Sequence, residues 1–166
     1  MKDSSELDDL DWRILAFLQD NNSLRQQDLA EAVNSSAPTV LRRVQRLKKA
    51  GWIEREIAIL NADKIAAATG HGLHAIIEVT LEQQSAQLLD EFERAACARR
   101  EVQQCYRTSA GQDFVLIVQV ADMPAYQAFA SSLLAQDRRV RNVKTYFASK
   151  RAKFSTALDL GIKLAD

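Results

Sequence analysis

Between Ala37 and Gly51 the stretch Ala-Pro-Thr-Val-Leu-Arg-Arg-Val-Gln-Arg-Leu-Lys-Lys-Ala-Gly commits the chain to one amphipathic helix. Val40, Val44 and Leu47 fall on one face at helical spacing, and Thr39, Arg42, Arg46 and Lys49 fall on the opposite face. Pro38 is tolerated because first-turn N–H groups lack intrahelical partners, Ser36 offers a hydroxyl to an orphan amide two or three residues on, and Gly51 marks the stop. From Arg42 to Arg55 six basic residues face one acidic residue, in a chain whose overall balance is 22 against 22. A neutral protein that concentrates positive charge on one short helix has a local anionic partner in view; the competing reading is a solvated helix face.

What precedes this helix favours the first reading. Leu7, Leu10, Ile14, Phe17 and Leu18 repeat at helical spacing, with the acidic run Asp3, Glu6, Asp8, Asp9 and Asp11 where a helix dipole welcomes negative charge. This predicts a helix from about Asp8 to Asp20. A second, from about Arg25 to Val33, buries Leu29, Ala30 and Val33, and Asn34-Ser35-Ser36 then turns into the basic helix, Asn34 accepting positive φ at low cost. Two short helices joined by a tight turn, the second of them basic, form a helix-turn-helix. Such a turn lets the N-terminal half of the second helix enter a major groove. After Gly51, Ile53, Ile57 and Ile59 share one side of an extended segment over residues 52–59, so the expectation is a winged variant.

The residues divide by task. Thr39, Arg42 and Arg46, with Ser36 at the same end, are candidates for base edges or nearby phosphates of double-stranded DNA. Gln45 and Lys49 lie at the margin of that face, and Arg55 is placed for a phosphate. Arg43 lies closer to the apolar edge, where a DNA contact competes with a structural ion pair to an acid of the first helix such as Asp11. Lys48 borders the buried face and can snorkel.

Residues 61–72 hold an Ala-rich segment ending in Thr69-Gly70-His71-Gly72 and mark a linker between a first domain at 1–60 and a second at 73–166. There Leu73, Ala75, Ile77, Val79 and Leu81 alternate with His74, Ile76, Glu78 and Thr80 as a strand with one buried face. Helical spacing from Gln84 to Ala98, strands over Val102 to Ser109 and Asp113 to Val120 about an Ala110-Gly111-Gln112 hairpin, a helix from about Met123 to Gln136 and a strand over Val140 to Ser149 complete the order βαββαβ. The fold class is therefore α+β, a winged helix-turn-helix followed by a ferredoxin-like split βαβ domain whose bare sheet face needs cover, usually from a second copy. From Arg138 to Lys153 there are seven basic residues and no acidic one. That run is a solvated face, an extra phosphate-contacting surface or a subunit contact.

With 47% hydrophobic and 27% charged residues the composition is that of a globular protein. No apolar run approaches the ~18 residues needed to cross a bilayer, and the N-terminus lacks a signal-peptide core, so no membrane association and a cytoplasmic location are expected. Cys97 and Cys105 have no metal-ligand spacing and read as buried thiols; no metal or other cofactor is implied.

Five strings now stand in order on their elements: Leu7-Asp8-x-x-Asp11-x-x-Ile14-Leu15, Asp28-Leu29-Ala30, Arg42-Arg43-Val44-x-Arg46-Leu47-x-x-x-Gly51-x-Ile53, Gly111-x-Asp113-Phe114 and the closing Lys153-Phe-Ser-Thr-Ala-Leu158. Together they resemble the Lrp/AsnC, or feast/famine, family of transcriptional regulators. The resemblance implies a DNA-binding winged helix-turn-helix joined to an ACT-like (RAM) effector-binding domain, assembled as homodimers that associate into tetramers or octamers. It implies no enzyme activity. It also implies that a small molecule, commonly an amino acid, binds near the hairpin at Thr108, Ser109, Ala110, Gly111, Gln112 and Asp113. Hairpin amides can meet a carboxylate and Asp113 an α-ammonium, while ordinary turn chemistry is the other account of Gly111 and Asp113. The sequence departs from the family where Asn34 and Ser35 replace a glycine and an apolar residue. Two rival functions remain: a tetrapyrrole decarboxylase of the same two-domain look, for which only His71 and His74 are available, and a metabolite-binding protein acting on a protein partner.

Overall fold

Asp8 starts the first helix, α1 (Asp9–Asp20), through a reciprocal capping box: its carboxylate accepts the Asp11 N–H at 2.9 Å, while the Asp11 carboxylate accepts the Asp8 N–H at 3.2 Å. The computed structural model describes residues 7–70 and 72–162. Asp3 and Glu6 of the acidic run, and His71, lie outside the described residues. Helix α2 (Gln26–Ala32) ends in a Schellman motif, with the Ser35 N–H reaching Ala30 O and the Asn34 N–H reaching Glu31 O. That motif needs a left-handed residue, and Asn34 supplies it at φ 52°. Helix α3 (Ala37–Lys49) ends the same way, with Gly51 at φ 80° and bonds from Trp52 N to Leu47 O and from Gly51 N to Lys48 O. Ile14, Leu29, Ala30, Val33, Val40 and Leu47 form the core of the three helices.

The segment after α3 does not form the extended strand expected of it. Residues 52–59 join no strand ladder among the described residues, because one strand without a partner has no bonds to make. Only Ile53 packs on the helical core; Ile57 and Ile59 are exposed. Trp52 meets Trp12 edge to face at 6.2 Å, which ties the start of this segment to α1.

In place of the expected linker, residues 61–72 contain a helix, α4 (Ala62–Thr69), capped by the Asn61 side chain on the Lys64 N–H. It belongs to a compact unit spanning Leu60–Ala152, whereas the chain from Lys153 on groups with the residues up to Ile59. The reason for the second grouping is a paired contact: the Gln19 amide donates to Leu158 O at 2.9 Å and accepts the Leu158 N–H at 3.0 Å.

The second unit is a four-stranded antiparallel sheet in the order β2-β3-β1-β4, formed by β1 (Leu73–Leu81), β2 (Val102–Arg107), β3 (Phe114–Val120) and β4 (Val140–Phe147). Helix α5 (Ala86–Cys97) starts at Ser85, whose hydroxyl accepts the Leu88 N–H, and α6 (Met123–Ala130) continues as one wide π turn through Ser131–Ala135. The β1 alternation works as predicted: Ala75, Ile77, Val79 and Leu81 meet Phe114, Leu116, Val118, Phe92 and Phe129 in one core. On the other face Ile76 pairs with Ile117 and Tyr146, and Ile76 and Tyr146 are exposed. The cysteines correct a sequence expectation. Cys97 is exposed, because the last turn of α5 turns it away from the core that holds Ala96, and Cys105 is half-buried.

Candidate nucleic-acid interface and ligand loop

The cationic face of α3 divides into anchored and unanchored charges. Asp11, fully buried on α1, accepts from Arg43 at 3.0 Å and also from Arg46, and Arg43 reaches Asp8 at 2.6 Å. Arg43 therefore takes the structural ion pair, one of its two sequence readings. Arg46, expected to face outward, also leans back onto Asp11 while its side chain stays 45% exposed. The Arg43 hydrogen bond holds the Asp8 carboxyl at about 2, well below the usual carboxylate range.

Arg42 and Lys49 are exposed and make no ion pair among the described residues. A cleft on this face is lined by Arg42, Arg43 and Arg46. Ser36 stands at the N-cap of α3, but its hydroxyl donates to Thr39 Oγ1 at 2.9 Å and caps no amide, contrary to the expected role. The Thr39 hydroxyl, half-buried, is engaged by the same bond. Lys48, expected only to snorkel, pairs with Glu56 at 2.7 Å, and the exposed Arg55 pairs loosely with its neighbour Glu54.

In the second unit, residues 108–113 join β2 to β3. Gly111 adopts φ 82°, a left-handed conformation that side chains with a Cβ rarely take. Thr108 closes the loop, its N–H on Asp113 O at 2.9 Å and its hydroxyl on Gln112 O. Asp113 is 6% exposed, and its carboxylate accepts the Leu81 N–H at 2.7 Å, which locks the loop to the end of β1. Turn chemistry thus accounts for Gly111 and Asp113 in the structure. The Ser109, Ala110 and Gly111 N–H groups meet no acceptor among the described residues, and these three residues are exposed. His74 is half-buried on the outer sheet face opposite Gln119.

Comparison with known proteins decides what these two sites belong to. Residues 74–158 match the family model for the Lrp/AsnC ligand binding domain, and residues 7–54 match one for winged helix-turn-helix DNA-binding. The chain belongs to the Lrp/AsnC family. It is 33% identical to the Bkd operon transcriptional regulator of Pseudomonas aeruginosa over 92% of this chain and 97% of that protein. It is also 33% identical to the leucine-responsive regulatory protein of Haemophilus influenzae, over 96% of this chain and 93% of that one. Among solved structures, an AsnC family transcriptional regulator from Agrobacterium tumefaciens superposes with a TM-score of 0.83 at 31% identity, covering 93% of this chain and 98% of that chain. A transcriptional regulator of Neisseria meningitidis, solved as a complex with L-Met, superposes with a TM-score of 0.82 at 28% identity, covering 93% and 97%. The helix-turn-helix unit is accordingly the DNA-binding module, and the sheet unit the ligand-binding domain, of an Lrp/AsnC-type transcriptional regulator. No described helix is long and apolar enough to cross a membrane.

Proposed function

We propose that this Lrp/AsnC regulator grips operator DNA through Arg42 and Lys49 as the available cations of α3, with Ser36 and Thr39 at its groove-facing end. Arg43 and Arg46 act mainly by fixing the angle of α3 on α1, with Arg46 near enough to the cleft to share a phosphate, and Arg55 adds a flanking phosphate contact. Residues 1–60 carry the DNA contacts and the sheet domain from residue 73 takes the effector. The observation behind this reading is that Arg42 and Lys49 lie exposed without ion pairs on a helix whose other arginines are held down.

The effector is an amino acid bound at the loop, its carboxylate received by the Ser109, Ala110 and Gly111 amides with Thr108 and Gln112 at the rim. Asp113 holds the loop in shape through one carboxylate oxygen and presents the other to an α-ammonium. The apolar strip of Ile76, Ile117 and Tyr146 supports a homodimer closed by sheet-to-sheet packing, from which tetramers or octamers can build, working in the cytoplasm. An effector changes DNA binding only by favouring one assembly or orientation over another. Calorimetric titration with each standard amino acid tests the ligand assignment. Saturable binding of one of them, weakened at least tenfold by Gln112→Ala, is expected; no binding by any amino acid would overturn the assignment.

A further inference from the structure

Arg107 on β2 is fixed to α5 by ion pairs to Asp90 at 2.6 Å and Glu93 at 2.7 Å. These contacts set the register of the helix over the strand. The two elements run antiparallel, since the chain leaves α5 at Cys97 and enters β2 at Val102. Two residues back along the strand from Arg107 is Cys105, on the same face and about 6.6 Å away. Four residues forward along the helix from Glu93 is Cys97, again on the same face and about 6 Å away. Equal advances along the two elements bring the thiols opposite each other. Cys105 is half-buried against the sheet core, and Cys97 is open to solvent.

Burial pushes the Cys105 thiol up to about 12, with the adjacent Cys97 sulfur and Glu93 adding to the effect and Arg107 opposing it. Cys105 therefore stays a neutral thiol inside, and Cys97 is the sulfur that an oxidant reaches. No group of three or more side chains that could hold a metal ion occurs among the described residues.

We propose that Cys97 and Cys105 form a reversible dithiol–disulfide site that takes peroxide as its oxidant. The Cys97 thiolate attacks one peroxide oxygen, the O–O bond breaks, and Cys97 becomes a sulfenic acid while the departing hydroxide takes a proton and leaves as water. The Cys105 sulfur then displaces hydroxide from Cys97, its own proton leaving with that hydroxide as a second water. Two thiols are oxidised to one disulfide and one peroxide is reduced to two waters. The new bond ties the last turn of α5 to the strand that runs directly into residues 108–113.

The test treats the full chain with hydrogen peroxide, blocks remaining thiols, and maps unreduced tryptic peptides by mass spectrometry; cleavage at Arg99 and Arg100 separates the two cysteines unless a disulfide holds them. The expected result is paired loss of both thiols within one chain, a cross-linked Cys97–Cys105 peptide, and full recovery on thiol reduction. Cys97→Ser, an exposed change that leaves the core intact, should reduce Cys105 oxidation at least tenfold. Cys105→Ser should leave Cys97 trapped as a sulfenic acid that a dimedone probe labels. Oxidation of Cys97 with Cys105 still free in the wild-type chain, or disulfides formed only between separate chains through Cys97, would overturn the proposal.

Discussion

Two basic stretches of this chain look alike in sequence and differ in what their charges do. In α3, Arg43 and Arg46 are drawn onto the buried Asp11, and Arg42 and Lys49 remain available. In the run from Arg138 to Lys153, Arg139 is held by Asp137 at 2.6 Å and Glu91 at 3.3 Å, and Lys144 stands across from Glu78 on the neighbouring strand. A count of cations therefore overstates the charge available to a partner. The arrangement of nearby acids decides which arginines shape the fold and which can meet an anion.

Removing the buried acid gives the strongest way to break this comparison. Asp11→Ala leaves two arginines without their common partner and half of a capping box undone, and should cost the helix-turn-helix unit about 3 kcal/mol. Both tryptophans of the sequence, Trp12 and Trp52, lie in this unit, so the urea midpoint of tryptophan fluorescence reads the loss directly. A smaller difference separates two adjacent arginines: Arg43→Ala should destabilise the same unit by about 1 kcal/mol and Arg42→Ala by less than about 0.5 kcal/mol, measured the same way.

Acid titration sharpens the distinction further. Asp8 is held at about 2 against an ordinary 3.8, with the Arg43 hydrogen bond as the first cause. A depressed carboxylate contributes stability that is complete above its unfolded value and is lost as the pH falls through its folded value. The unit should therefore weaken between about pH 4 and pH 2, and Arg43→Ala should flatten that part of the stability profile.

Much of this was legible in the sequence. The period-3.6 and period-2 patterns located every helix and strand of the two domain cores, and the Asn34 and Gly51 turns read correctly because left-handed caps have few residue choices. The segment 52–59 did not, since alternation of Ile57 and Ile59 states a preference for extension without naming a partner strand. Helix α4 was passed over as a linker because Ala-rich composition says little about where a short helix docks. At the candidate sites, Arg43 was legible as a choice between two roles, whereas the Arg46 pairing depends on a side chain bending along the helix, which spacing alone does not specify. Asp113 sat in the expected loop, and its bond to Leu81 required the three-dimensional register of β1 against β3.

The central claim is that Arg42 belongs to the available charges of this molecule. The most direct test is binding of labelled DNA from upstream of the protein's own coding sequence, against a scrambled fragment, across a salt series, for the wild type, Arg42→Ala and Arg139→Ala. Arg42→Ala should weaken binding about tenfold and lower the magnitude of the salt slope by about one, and Arg139→Ala, held by Asp137 and Glu91 in the second basic stretch, should leave both unchanged. Wild-type affinity and slope for Arg42→Ala would contradict the account.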